Sequence, residues 1–139
     1  MENLRTCFLV LITLAIGAAC SSTRASRTGV RWETLSGTVS FDETVALPYG
    51  ASVDVKLVDV SLAEAGSRTI AQQHIQPSAR APIPFELRYD PATIDSARRY
   101  VLQARITLDG RIVWTNIESI PVFTTATPRK IEIVVKRIP

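Results

Sequence analysis

Apolar and polar residues alternate with a period of two along most of the chain beyond Trp32, which is typical of β-strands that bury one face. The alternation is clear at 35–41, 53–57, 83–89, 100–108, 112–114 and 131–135, and weaker at 68–75 and around Val122. Only 62–65 and 91–97 have room for a turn of helix. Seven or eight short strands, each with one apolar face, predict an all-β fold: an antiparallel β-sandwich in which two sheets bury these faces together.

Two local signals add detail to this prediction. Asp109-Gly110 separates two alternating runs and predicts a tight hairpin, because both central residues of such a turn take positive φ. Pro82 and Pro84 lack the N–H group that a strand ladder needs, so the strand 83–89 is expected at a sheet edge or after an irregular start. Further turn signals occur at 47–50, 64–67, 90–91 and 127–128.

The first twenty residues have the layout of an export signal: a charged start at Arg5, an uncharged apolar run, small residues and then Cys20. A cysteine in this place resembles a bacterial lipoprotein signal, which is cut before the cysteine, and the cysteine thiol is acylated. Gly17 stands where such signals usually carry Leu, Val or Ile. A plain secretory signal cut nearby and a retained membrane anchor are the other interpretations, although the segment 6–22 is short for a spanning helix of about 20 apolar residues.

The lipoprotein interpretation divides the chain into three parts: a cleaved signal peptide at 1–19, a lipidated flexible tether at 20–31 and a β-sandwich domain at 32–139. The tether is polar, small and without an apolar pattern. Ser21 rather than Asp follows Cys20, which by resemblance to the enterobacterial sorting pattern favours the outer membrane. The expected location is the periplasmic face of the outer membrane, with the lipid anchor in the bilayer.

Charge and cysteine content exclude several classes of function. The formal net charge is +3 with no run of like charges, so a solvated surface is favoured over nucleic-acid binding. Of the two cysteines, Cys7 lies in the signal, and the mature chain would keep only Cys20. Neither an internal disulfide nor a thiolate metal cluster can then form, and lipidation is the best explanation of Cys20.

No catalytic or cofactor-binding set is visible in the sequence. His74 is the only histidine, and no carboxylate is near it in sequence, so it is interpreted as a surface strand residue rather than a base or metal ligand. No serine lies in G-x-S-x-G or S-x-x-K, and Gly-rich phosphate loops and calcium loops are absent. The candidate acids are scattered along the chain: Asp54, Asp59, Asp90, Asp95 and Asp109. The chain is therefore expected to be no enzyme and to use no metal, cofactor or small-molecule substrate.

Two features suggest a partner without specifying it. The basic pairs Arg98-Arg99 and Arg129-Lys130 each precede a strand, and they could steer an acidic partner or simply keep strand ends soluble. Trp32 lies at the junction of tether and domain, where it could be an interface aromatic or could pack over the first strand. The partner-binding residues are not identified by either feature.

Short segments follow one another in a fixed order within residues 36–135: GTVSF at 37–41, ALP at 46–48, ASVDVKLVDVS at 51–61, IPFELRYD at 83–90, and YVLQARI at 100–106 before Asp109-Gly110. Together they resemble the YbaY/YscW lipoprotein family. The resemblance implies a β-sandwich lipoprotein of Gram-negative bacteria. One branch of that family comprises pilotins of type III secretion, which carry the secretin subunit to the outer membrane, and the YbaY-like branch is largely of unknown role.

The expected function is that of an outer-membrane-anchored, non-catalytic lipoprotein that binds or chaperones an envelope partner, pilotin-like, with a secretin as a possible partner. The alternative is a structural or stress-related envelope lipoprotein without a secretin partner. A partner's peptide could add a strand to an exposed sheet edge. Because the proline-bearing strand 83–89 would be a poor edge for this, the first strand, the last strand or the groove between the sheets is expected to receive it.

Overall fold

The computed structural model describes residues 29–41, 46–62, 66–77, 80–124 and 130–139. The predicted signal peptide, Cys20 and most of the predicted tether lie outside the described residues. So do Arg129, the turn predicted at 127–128 and nearly all of the helical candidate at 62–65. None of the helical structure in the described ranges has the length and apolar character needed to cross a bilayer.

The described ranges contain eight β-strands and one turn of 3₁₀-helix at Pro91–Thr93, inside the predicted candidate 91–97. The strands are β1 Glu33–Ser40, β2 Ser52–Asp59, β3 Arg68–Ile75, β4 Ile83–Tyr89, β5 Tyr100–Leu108, β6 Arg111–Asn116, β7 Ile120–Val122 and β8 Ile131–Arg137. The all-β class and the number of strands are confirmed, because strands with one apolar face were readable from the period-two alternation.

A single sheet contains all of these strands, in the order β3-β2-β5-β6-β8-β1-β4, with β7 pairing with β5 beside β6. The sheet curls until its two end strands, β3 and β4, face each other, so the architecture is a nearly closed barrel. The predicted stacking of two sheets into a sandwich is not confirmed. The expectation of purely antiparallel pairing is wrong, because β1 and β8 run parallel. Alternation reports which residues face inward, but it is the same in a sandwich and in a barrel.

The inward residues form one continuous core. Its largest fully buried side chains come from β2, β4, β5 and β8: Phe85, Leu57, Leu87, Leu102, Ile106 and Ile133. At one end of the barrel, where β1 begins and β4 finishes, Phe123 packs between Tyr89 and Tyr100 with ring centroids 5.1 and 5.7 Å away. We call this the Trp32 end, since Trp32 directly precedes β1. At the opposite end, Phe41 and Trp114 pack with centroids 6.5 Å apart.

The hairpin between β5 and β6 forms as predicted, with Asp109 at φ 50° and Gly110 at φ 76°. β6 pairs with β5 as far as Thr115 and with β8 from Trp114 to Asn116, and further along β5 its neighbour is β7. The Asn116 side chain fills the resulting gap in the ladder: its Oδ1 accepts from the Ala104 N–H at 2.9 Å, and its Nδ2 donates to the Leu102 carbonyl at 3.2 Å. These backbone groups would otherwise lack partners inside the wall.

Candidate functional site

The edges of the two end strands, β3 and β4, face each other along a seam that no backbone ladder closes. One side chain bridges the seam, because the Gln73 Oε1 on β3 accepts from the Glu86 N–H on β4 at 2.6 Å. β4 is thus an end strand, as Pro82 and Pro84 predicted. Strand edges present N–H and C=O groups to which another chain can add. The first and last strands, which were expected to receive a partner, are interior: β1 lies between β4 and β8, and β8 between β1 and β6.

The seam opens into a groove at the end of the barrel opposite Trp32. One pocket of about 200 Å³ adjoins the seam and is lined by Ile75, Gln76, Pro77, Arg80, Pro82, Ile83 and Pro84. A second pocket of about 690 Å³ continues from it along the 46–51 segment and shares Gln76, Pro77 and Arg80 with the first. We call these two joined pockets the seam groove, and this end of the barrel the Arg80 end.

The seam groove combines apolar and polar surface with one charge among its described lining residues. Prolines and aliphatic side chains form most of its lining, and Arg80 is the one charged residue among its described lining residues. The prolines cannot donate backbone hydrogen bonds, so this part of the wall cannot complete its own ladder. The arrangement fits an apolar peptide segment that carries a carboxylate, which a guanidinium can bind through paired hydrogen bonds.

A buried carboxylate lies at the Trp32 end of the barrel. Asp59 is 4% exposed, accepts from the Ser61 N–H at 2.9 Å, and accepts from Arg98 Nη1 at 2.9 Å. The hydrogen bond from the Ser61 backbone, followed by that from Arg98, lowers the pKa of Asp59 to about 2 from its usual 3.8. Arg98, which could have steered an acidic partner or kept a strand end soluble, is bound to an acid of its own chain. Arg99 and Lys130 are exposed.

This depressed pKa predicts an acid-sensitive domain. Because the folded-state pKa of Asp59 lies below its unfolded value, its contribution to the free energy of unfolding is complete above about pH 4 and is lost as the pH falls toward about 2. We expect Asp59→Asn to flatten the fall in stability across this window, measured by urea unfolding at a series of pH values. Asp95→Asn is the control, because Asp95 is exposed and 3.8 Å from Arg98. Equal slopes for Asp59→Asn and the unmodified chain would contradict the assignment.

The sole histidine has a carboxylate neighbour that the sequence order did not reveal. Asp54 and His74 are directly opposite each other on β2 and β3, with His74 Nδ1 and Asp54 Oδ1 2.9 Å apart. The His74 side chain is about half exposed on the outer face, which agrees with its interpretation as a surface strand residue. Neither residue lines the two pockets of the seam groove. The arrangement is a cross-strand contact that supports the β2–β3 register.

The remaining acids, Asp90, Asp95 and Asp109, lie in turns. Asp90 accepts from the Ala92 N–H at the start of the 3₁₀ turn, and Asp95 accepts from the Ala97 N–H, each at 2.9 Å. Asp109 occupies the β5–β6 hairpin. In the part of the chain that the structure describes, no group of three or more His, Cys, Asp or Glu residues is placed to hold a metal ion. The geometry therefore shows local turns and caps at these positions.

Trp32 stays 54% exposed, and the Arg88 guanidinium lies over its ring at 5.7 Å from the centroid. Sequence reasoning left two interpretations for this residue, and the structure shows a ring that contacts a β4 side chain and still faces solvent. Sequence reasoning missed Gln73, which bridges the seam, and Arg80, which is the cation of the seam groove. The prolines around Arg80 were the available signal, but their location opposite β3 depends on how the sheet closes.

Comparison with known proteins gives consistent relationships. The family described as "Type III secretion system lipoprotein chaperone (YscW)" matches residues 31–135. The "Uncharacterized lipoprotein YbaY" of Escherichia coli (strain K12) is 33% identical over 103 residues, which cover 73% of this chain and 54% of that protein. The chain thus spans about half the length of this curated relative.

A solved structure extends the comparison to the fold. The alternative pilotin from the type II secretion system of Vibrio cholerae is 31% identical, with a TM-score of 0.72, and the match covers 78% of this chain and 99% of that one. The sequence family, the lipoprotein relative and the pilotin structure agree with one another and with the segments at 36–135 that suggested the resemblance. The chain belongs to the YbaY/YscW family of pilotin-like lipoproteins.

Proposed function

We propose that the mature chain is a lipoprotein acylated at Cys20 that stands on the periplasmic face of the outer membrane and holds a peptide segment of an envelope partner in the seam groove. In a pilotin role the partner is a secretin, and the segment is its C-terminal tail. The observation that carries the proposal is the unpaired seam between β3 and β4, which opens into a partly apolar groove with one cation among its described lining residues.

Anchoring is supported by the cysteine at the end of the signal-like segment and by the lipoprotein relatives. Stable attachment needs two or more acyl chains, and a bacterial lipoprotein cysteine is expected to carry three. Gly29, the first described residue, follows Cys20 by nine positions. A fully extended chain of that length spans at most about 30 Å, so the domain would remain close to the bilayer.

The position of the groove suits a protein anchored in this way. The chain reaches the barrel at the Trp32 end, and the seam groove lies at the Arg80 end, one length of the eight-residue β1 away. At about 3.3 Å per residue this separation is roughly 25 Å. A partner segment can therefore occupy the groove while the opposite end of the domain is near the membrane.

The carboxylate specificity of the groove provides the direct test. In the host, the acylated protein is crosslinked and purified, and the captured envelope protein is identified by mass spectrometry. A synthetic peptide of that partner's C-terminal tail is then titrated with a free or an amidated terminus. We expect the free carboxylate to bind about tenfold more tightly, and Arg80→Glu to remove the difference, because the guanidinium is the groove's charged contact.

Arg111→Glu is the matched control, since Arg111 is an exposed arginine at the same end of the barrel but outside the groove. It should bind both peptides like the unmodified protein. Failure to capture any envelope protein above background would contradict partner binding and favour the structural or stress-related role. Equal binding by Arg80→Glu would place the partner's segment elsewhere on the domain.

A further inference from the structure

The surface around Trp32 lies outside the seam groove and has no part in the proposed peptide binding. Val30 and Trp32 are 53% and 54% exposed and lie where the chain reaches the barrel. Arg31 between them is exposed, and Arg88 places its guanidinium over the Trp32 ring. We call these four residues the Trp32 face. Glu33, the adjacent acid, accepts a hydrogen bond from the Tyr89 hydroxyl at 3.0 Å.

This combination matches the chemistry of a membrane surface. An indole ring is apolar on its faces and donates one hydrogen bond at its edge, so it is favoured at the level of lipid headgroups. Arginine guanidinium groups bind phosphate oxygens. A half-exposed tryptophan flanked by two arginines and an exposed valine therefore presents both the apolar and the cationic contacts that an anionic bilayer accepts.

We propose that the Trp32 face docks onto the surface of a bilayer containing anionic phospholipid, as a second contact beside the acyl anchor. The inference rests on the proposed acylation of Cys20. Trp32 follows Cys20 by twelve positions, so even a fully extended chain keeps it within about 40 Å of the acylated residue. Tethering at this range gives the face a high effective concentration at the membrane.

Charge complementarity selects the bilayer as the occupant. The segment from Cys20 to Arg31 contains Arg24, Arg27 and Arg31 and no acidic residue. Each cation near an anionic leaflet strengthens association by about fivefold, and the effect decays within a Debye length. Docking by the Trp32 face also directs the Arg80 end away from the membrane, so the seam groove stays open to a partner.

Tryptophan fluorescence can test the docking on the whole acylated protein. The mature protein is purified from its host in detergent and reconstituted into phosphatidylethanolamine vesicles that contain phosphatidylglycerol, with acyl chains brominated close to the headgroup as quenchers. Trp114 is 6% exposed and buried in the barrel, so Trp32 should supply the quenched emission. We expect about twofold stronger quenching than in brominated phosphatidylcholine vesicles without anionic lipid, and Trp32→Phe should abolish the quenching.

A probe at the other end of the barrel provides the matched control. Tyr49 is fully exposed at the rim of the seam groove and is among its lining residues, so Tyr49→Trp in the Trp32→Phe background reports the Arg80 end and should remain unquenched. Arg31→Glu with Arg88→Glu should remove the preference for anionic vesicles. Equal quenching at both ends would overturn the docking orientation.

The outcomes also separate this inference from the proposed function. Protein that enters the vesicles while Trp32 stays unquenched would overturn docking and leave the acyl anchor standing. Protein that does not associate with vesicles at all would contradict the acylation of Cys20 and, with it, the docking. In a third outcome, lipid leaves Trp32 unquenched but the captured envelope protein shields it from acrylamide. The Trp32 face would then bind that protein, and docking onto the bilayer would be overturned.

Discussion

The Gly37→Val variant is expected to lose about 3 kcal/mol or more of its free energy of unfolding, because the close approach of β1 to its neighbours has no room for a side chain. A Cβ built on Gly37 would meet the Ile131 carbonyl oxygen on β8 and would lie 2.8 and 2.9 Å from two ring carbons of Phe85 on β4. Urea unfolding followed by circular dichroism measures the change.

The sign of this effect separates packing from intrinsic propensity. Valine is a much better strand former than glycine, so propensity alone would predict stabilisation. Ser36→Val is the matched control, since Ser36 is the preceding residue of β1 and is exposed. It should be neutral or slightly stabilising. Phe85→Leu should partly rescue Gly37→Ala, and a Gly37→Val chain as stable as the Ser36→Val chain would disprove the contact.

Gly37 also illustrates which parts of the fold the sequence could specify. Alternation predicted each strand because burial of one face imposes a period of two on every strand separately. The Asp109-Gly110 turn and the edge position of β4 followed from local backbone chemistry. The parallel β1–β8 pair, in which Gly37 is opposite Ile131, joins the two ends of the domain. No local pattern encodes that pairing, and without it the closure into a barrel cannot be distinguished from a sandwich.

The candidate site was less predictable, since its parts meet only after closure. Gln73 is a polar residue at an inward position of β3, where a strand in a complete sheet would carry an apolar side chain, and the N–H group that donates to it lies on β4. Asp59 and Arg98 are 39 positions apart, and their bond depends on the end-to-end register of β2 and β5. The sequence therefore left two interpretations of Arg98 open, a cation for a partner or a soluble strand end, and neither included this acid.

The Cys20→Ser variant is expected to lose essentially all acylation. Once the signal is removed, its membrane-bound fraction should fall by more than about a hundredfold, because a protein without acyl chains lacks the methylene groups that are buried in the bilayer and hold the protein there. The measurement combines incorporation of labelled fatty acid, fractionation of the host envelope and the intact mass of the purified protein. Cys7→Ser is the matched control, because Cys7 lies within the predicted signal and its loss should leave acylation and fractionation unchanged.

The same three measurements separate the three interpretations of the first twenty residues. Lipoprotein processing predicts that the chain with the native Cys20 lacks residues 1–19 and carries acyl groups, and that the Cys20→Ser variant carries no label. A secretory signal cut nearby predicts a soluble, unlabelled protein that Cys20→Ser does not change. A retained anchor predicts the full mass and membrane association in both proteins, and in that case Gly17 would explain why a signal with a cysteine in the right place is not processed. Because the seam groove depends only on the barrel, peptide binding would survive either of the last two results. Delivery of the partner to the outer membrane by an acyl anchor would require the first.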